Sequence, residues 1–166
     1  MRLNLHTDYA LRLLMFLAVK GEQASIEEIA KAYGISRNHL IKVGKRLTEL
    51  GYAEARRGRS GGLVLTRSPE SINVGEVVRS VESTRAFVEC FDPQINRCRV
   101  AGICGLQGAL SLALGDFMKR LDQYSIADLI PAPQKFKDRL VPLPPGEQRL
   151  LTLGRHVIPG GGEYDN

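Results

Sequence analysis

The chain has 166 residues and a net charge of +5, with 43% hydrophobic and 25% charged residues, which suffices for one cored domain or a small domain with an extension. No apolar run approaches the roughly 20 residues that cross a bilayer, and the start lacks a signal-peptide cleavage site, so the expectation is a soluble, cytoplasmic protein without a membrane partner. The charge is local, with 13 Lys/Arg against 8 Asp/Glu in residues 1–80 and 10 of each in residues 81–166.

In chain order, Thr7 is read as the N-cap of a first helix, TDYALRLLMFLAVK, with Asp8 near the positive end of its dipole and Gly21 as its stop. Tyr9, Leu13 and Leu17, with Ala10 and Leu14, recur at helical spacing and predict a buried face. Ser25 and Glu28 have capping-box spacing ahead of Ile26, Ile29 and Ala30, and Tyr33-Gly34 ends this second helix. Ser36 then caps RNHLIKVGKRLTEL, where Leu40, Val43, Leu47 and Leu50 mark one apolar face and Gly51 supplies the stop. Two short helices about a Gly-containing turn, the second exposing Arg and Asn near its start, describe a helix-turn-helix.

YAEARR and LVLTR, two β-prone runs about GRSGG, predict a hairpin, and a basic hairpin after a recognition helix is a wing. Eight basic residues fall within 37–67 against two acidic ones, a candidate footprint for a polyanion. Ser36, Arg37, Asn38, His39 and Lys42 are the candidate DNA contacts of the helix, with Arg37 and Asn38 best suited to base edges. Lys45, Arg46, Arg56, Arg57 and Arg59 suit phosphates, the wing arginines also a minor groove.

SINVGEVVRSVE predicts a short helix that turns Val74, Val77, Val78 and Val81 to the body. From Gly105 a long helix carries Leu106, Ala109, Leu110, Ala113, Leu114, Phe117 and Leu121 on one stripe, which needs its own core or a second subunit to cover it. A homodimer suits a reader of two half-sites. SIADLI predicts one more short helix capped by Ser125, and the Pro- and Gly-rich remainder a flexible extension. The expected organisation is a DNA-binding domain over 1–82, a cysteine loop over 83–104, a dimerisation helix and short C-terminal helix over 105–130, and the extension over 131–166. The fold class is mainly α with a small β-hairpin wing.

All three cysteines, Cys90, Cys98 and Cys104, lie within fifteen residues, with seven residues between the first pair and five between the second. An odd number in a reducing compartment disfavours structural disulfides and raises metal or redox chemistry, with unrelated thiols as the plain alternative. Structural zinc prefers short C-x2-C knuckles and four ligands, whereas iron-sulfur clusters sit on thiolates at looser spacing. No Ser-His-Asp set, P-loop or catalytic carboxylate pair stands out, and His6, His39 and His156 form no ligand pattern, so an enzyme is not expected. An iron-sulfur electron carrier is the alternative of a different class.

TDYALRLLMFLA, YGISRNHLIKVGKRLTELGY, RGRSGGLVL, ECFDPQINRCRVAGICGL and LDQYSIADL, in this order over about residues 1–130, resemble the bacterial winged-helix iron-sulfur repressors. Within that family the resemblance is greatest to the nitric-oxide-sensing NsrR type. It implies repression, through a double-stranded DNA operator, of nitric-oxide detoxification genes, with nitric oxide as the signal. It also implies one 4Fe-4S cluster per subunit on the three cysteines, with Asp8 from the other subunit as fourth ligand; His6, Glu89 and Asp92 are alternatives by sequence. Gln107 stands where the cluster-biogenesis regulators usually carry a ligand histidine, which argues against their 2Fe-2S type. The iron-responsive regulators share a similar cysteine spacing and form the second reading.

Overall fold

The first helix supplies the surface on which the other elements assemble. The computed structural model describes residues 3–58, 61–82 and 87–140. In order it contains α1 (Leu5–Lys20), α2 (Ile26–Tyr33), α3 (Arg37–Glu49), β1 (Ala53–Arg56), β2 (Gly62–Leu65), α4 (Val74–Val81), α5 (Gly105–Leu121) and α6 (Pro133–Leu140). Single 3-10 turns lie at Pro69–Ser71 and Glu89–Phe91. Ala10, Leu13, Leu14, Phe16 and Leu17 of α1 are buried, and α3, α4, β2 and α6 all pack against this helix. Leu40, Val43 and Leu47 of α3 and Val74, Val77 and Val78 of α4 complete the core, as their helical spacing predicts.

The helix ends show where local chemistry outran the sequence reading. α1 begins earlier than the Thr7 cap predicts, because the Asn4 side chain accepts the His6 N–H at 2.7 Å and serves as the cap. Thr7 is instead buried inside the helix, and its hydroxyl donates to Glu82 Oε2 at 2.6 Å. Ser25 caps α2 by accepting the Glu28 N–H, but the Glu28 carboxylate does not close the reciprocal bond; it takes both hydrogen bonds from Lys20 Nζ at 2.7 Å. Ser36 occupies the cap position of α3 with its hydroxyl making no capping bond. That helix ends as expected: Gly51 takes φ +76°, and Tyr52 N–H and Gly51 N–H return to the Leu47 and Thr48 carbonyls.

The wing is the antiparallel pair β1 and β2, in register Ala53↔Leu65 through Arg56↔Gly62. It is sewn to the helices by a bridge between Ala24 and Leu63, with N···O distances of 2.9 and 2.8 Å. Gly62 makes that approach possible, since a Cβ there would strike the Ala24 carbonyl.

Two C-terminal expectations are corrected. Residues 125–130 form turns rather than a helix: Ser125 bridges to Asn73, and its N–H and hydroxyl both bond Asp128 Oδ2 at 2.8 and 2.7 Å. Beyond Ile130 the chain forms α6, whose Phe136 and Leu140 pack on the core beside α1, so residues 133–140 are ordered helix where an extension was expected. Residues 141–166 of that expectation lie outside the described residues. No described helix is long and apolar enough to cross a membrane.

Two substitutions test this packing. Gly62→Ala should lower the unfolding free energy by about 1–3 kcal/mol, because backbone cannot yield as a side chain does. Thr7→Val, nearly isosteric, should cost about 1–3 kcal/mol by leaving Glu82 short of a donor. Urea titration followed by circular dichroism checks both, and wild-type midpoints would contradict the two contacts.

Candidate functional site

α3 presents its core face through Leu40, Val43, Gly44 and Leu47 and leaves the other face to solvent. A Cβ on Gly44 would meet Leu63 Cδ1 at 2.9 Å and Ile26 Cδ1 at 3.1 Å, so this glycine seats the helix close to α2 and the wing. Ser36, Arg37, Asn38, His39, Lys42, Lys45 and Arg46 are all exposed, together with Ile41. Arg37 pairs with Glu27 of α2 at 3.0 Å, Lys45 with Glu49 at 3.8 Å, and Arg46 with Glu49 at 3.6 Å and the Ser80 carbonyl at 3.1 Å. These pairs are solvent-exposed and therefore weak, so a polyanion competes with them at little cost. The His39 ring lies tilted 6.2 Å from that of Tyr9, which holds it against α1.

The exposed face of α3 continues into a cleft of about 300 Å³ lined by His6, Lys42, Lys45, Arg46, Glu49 and Val81. Sequence spacing gives no hint that His6 joins these lysines, because the contact depends on α1 crossing α3. On the wing, Arg56 pairs with Glu54 at 3.0 Å and Arg57 is exposed, while Arg59 lies outside the described residues. Recognition helix, cleft and hairpin together form a basic surface of helix-turn-helix geometry.

The three thiols are free: Cys90 and Cys104 are half-buried and Cys98 is exposed. Cys90 sits in the turn Glu89–Phe91, and its carbonyl accepts from Gln107 Nε2 at 3.0 Å, tying the loop to the first turn of α5. Cys104 opens α5 at the cap position, with no side-chain capping bond and no acidic residue in the first turn. The Glu89 carboxylate accepts the Arg97 N–H and Asp92 accepts the Gln94 N–H at 3.0 Å, so both acids fold the loop itself. A cavity of about 610 Å³ beside Cys90 is bounded by Phe91, Pro93, Gln107, Gly108, Ser111 and Leu114.

Three free thiols on one loop are the donor chemistry of thiolate-held iron, and to that extent the residues fit such a group. They are not a finished chelate, since among the described residues no three His, Cys, Asp or Glu side chains converge on one point. Asp8 is held in α1 by Arg12, with two contacts of 3.0 Å that a metal ion would compete with. Arg12 in turn lies 5.9 Å above the Tyr33 ring. Burial pushes the Tyr33 hydroxyl up to about 12, against the pull of Arg12, and keeps it protonated.

Sequence reasoning missed the residues that tie the elements flanking this loop to α1 and α4. Glu82, the last residue before the loop, accepts from the Asn4 N–H at 3.1 Å as well as from Thr7. Arg79 of α4 forms a two-fold pair with Asp122 past the end of α5, and Asn73 Nδ2 donates to the Asp122 carbonyl at 2.7 Å. Asn73 and Arg79 were visible as residues, but their distant partner Asp122 was not.

Comparison with known proteins agrees with this geometry. The chain is 48% identical over 132 residues to the HTH-type transcriptional regulator NsrR of Bacillus subtilis (strain 168), covering 78% of this chain and 90% of that one. The fold is similar to T. potens IscR, with a TM-score of 0.63 at 22% identity over 78% of this chain and 86% of that one. It is also similar to CymR, the global cysteine regulator of B. subtilis, with a TM-score of 0.62 at 23% identity over 78% and 95% of the two chains. Residues 3–132 match Rrf2, described as an iron-dependent transcriptional regulator, and the chain therefore belongs to the Rrf2 family of winged-helix transcription regulators.

Proposed function

We propose that the chain acts as a homodimeric repressor that holds one 4Fe-4S cluster per subunit and releases the operators of nitric-oxide detoxification genes when nitric oxide is present. The observation that carries this reading is the placement of three free thiols on one loop of a chain that also bears an exposed basic recognition helix. The 48% identity to a regulator named NsrR supports the choice of signal. Cys90, Cys98 and Cys104 would hold the cluster, with Asp8 of the partner subunit as fourth ligand. When bound, such a cluster supplies iron with which nitric oxide reacts, and a carboxylate is a harder, more easily displaced iron ligand than a thiolate.

The chain's own residues do the rest. Leu106 and Leu112 of α5 are 64% and 74% exposed, and Ile103 just before it is 87% exposed, an apolar surface of the kind a second copy covers. Arg37 and Asn38 face base edges, while Ser36, His39, Lys42, Lys45, Arg46, Arg56, Arg57 and Arg59 contact the flanking backbone. Tight binding requires two recognition helices spaced for major grooves about 34 Å apart. Asp8 carries the signal, because it stands on α1, against which α3 packs.

A second reading, an iron-responsive repressor using the same ligands, is favoured by the family's description as iron-dependent. An iron-sulfur electron carrier would need no sequence-specific DNA binding.

Two outcomes check the proposal. Anaerobic reconstitution should load about four irons per chain in wild type and almost none in Cys98→Ser, read by iron assay and visible absorption; colourless, tight zinc binding would sink the cluster. Lys45→Ala should weaken binding to all sequences alike and flatten the log K against log salt slope by about 1, whereas an unchanged slope removes Lys45 from the interface.

A further inference from the structure

The one apolar side chain on the exposed face of α3 is Ile41, which is 41% exposed. Helical geometry places it one turn from Arg37 and Asn38 on one side and from Lys45 on the other. The core face of the helix, Leu40, Val43, Gly44 and Leu47, is directed elsewhere, so Ile41 contributes little to holding α3 in place. Asn38, its neighbour, has no side-chain partner among the described residues and is free to make a two-point contact. The setting is thus a β-branched apolar group ringed by cations and an amide, on the element that a winged helix inserts into the major groove.

Single exposed apolar residues are ordinary on most surfaces and call for no explanation. This one differs by its surroundings, because a cationic ring selects a polyanion as occupant rather than another protein's apolar face. The major-groove edge of double-stranded DNA offers one apolar feature to a side chain, the C5 methyl of thymine. A branched, rotamer-restricted chain meets that methyl with little loss of freedom.

We infer that Ile41 is a specificity-determining residue that reads a thymine methyl in each operator half-site, beside the polar contacts of Arg37 and Asn38. The inference rests on the reading of α3 as a sequence-specific major-groove reader. Its energetic contribution is that of about one buried carbon, roughly fourfold in affinity per methyl. With two half-sites the effect multiplies to about fifteenfold.

The test uses full-length, cluster-loaded protein and a duplex that the protein itself selects from a random-sequence pool. Each thymine of the selected site is replaced in turn by uracil, which removes the methyl and leaves the hydrogen-bonding edge intact. Wild type should show one position per half-site at which uracil weakens binding about fourfold. Ile41→Ala should bind thymine and uracil at that position equally while keeping the wild-type salt slope, and Ile41→Val should retain part of the discrimination. Uracil tolerated everywhere by wild type overturns the inference, as does a uracil-sensitive position that survives in Ile41→Ala. Failure to enrich any sequence overturns the reading of α3 itself, a result distinct from enrichment without methyl sensitivity.

Discussion

Everything in this molecule depends on the burial of one face of α1. Ala10, Leu13 and Leu14 are wholly excluded from solvent, and the recognition helix, the wing, α4 and α6 all rest against that helix. Fully burying a leucine side chain is worth about 1.5–3 kcal/mol, so the three core leucines of α1 rank among the largest single contributions to the fold. The consequence is functional as well as structural. A helix with a dry core on one side and Asp8 at its exposed start cannot shift without moving the surfaces that rest on it.

α4 is the second point of convergence. Within its eight residues and its flanking caps it bonds the recognition helix through the Ser80 carbonyl, the wing base through Tyr52 and Ser80, the start of α1 through Glu82, and the end of α5 through Arg79. The hydroxyls of Tyr52 and Ser80 lie 3.3 Å apart, and burial pushes the tyrosine's pKa up, keeping it protonated. Glu82 is the last described residue before the cysteine loop. Under the proposed function, a change in the loop's shape would act at the junction of α1, α3 and α5. Interfaces of this kind switch between discrete packings, since close-packed side chains resist gradual deformation.

Much of this was legible in the residues. Helical spacing located α1 to α5, Gly21, Gly34 and Gly51 marked helix ends with positive φ, and the turn-flanked β runs placed the wing. The misses have a common cause. Thr7 looked like a cap because cap residues are also buried hydroxyls, and only the distant Glu82 decides which. SIADLI carries a capping serine and helical spacing, yet the chain closes only a single turn there, Ile130 N–H returning to the Ala127 carbonyl, while Ile126 and Ala127 bond back to Ile72 and Pro69. α6 has too few apolar residues to announce itself, and Phe136 and Leu140 make sense only against α1. The basic surface was legible as charge, but the inclusion of His6 was not, and neither were Arg12 and Gln107 as partners of Asp8 and Cys90, nor Glu82 as the partner of Asn4 and Thr7.

Whether the state of the cysteine loop governs DNA binding is read most directly from affinity for the chain's own upstream region. Anaerobically isolated, cluster-loaded protein is titrated onto that fragment before and after a few equivalents of nitric oxide per cluster, at fixed salt. If the loop governs DNA binding, cluster-loaded protein binds tightly and loses that binding at these low ratios. Tight binding unchanged by nitric oxide and by removal of the cluster would contradict control by the loop, whereas binding that survives nitric oxide and falls on iron chelation would keep that control and assign the iron-responsive role.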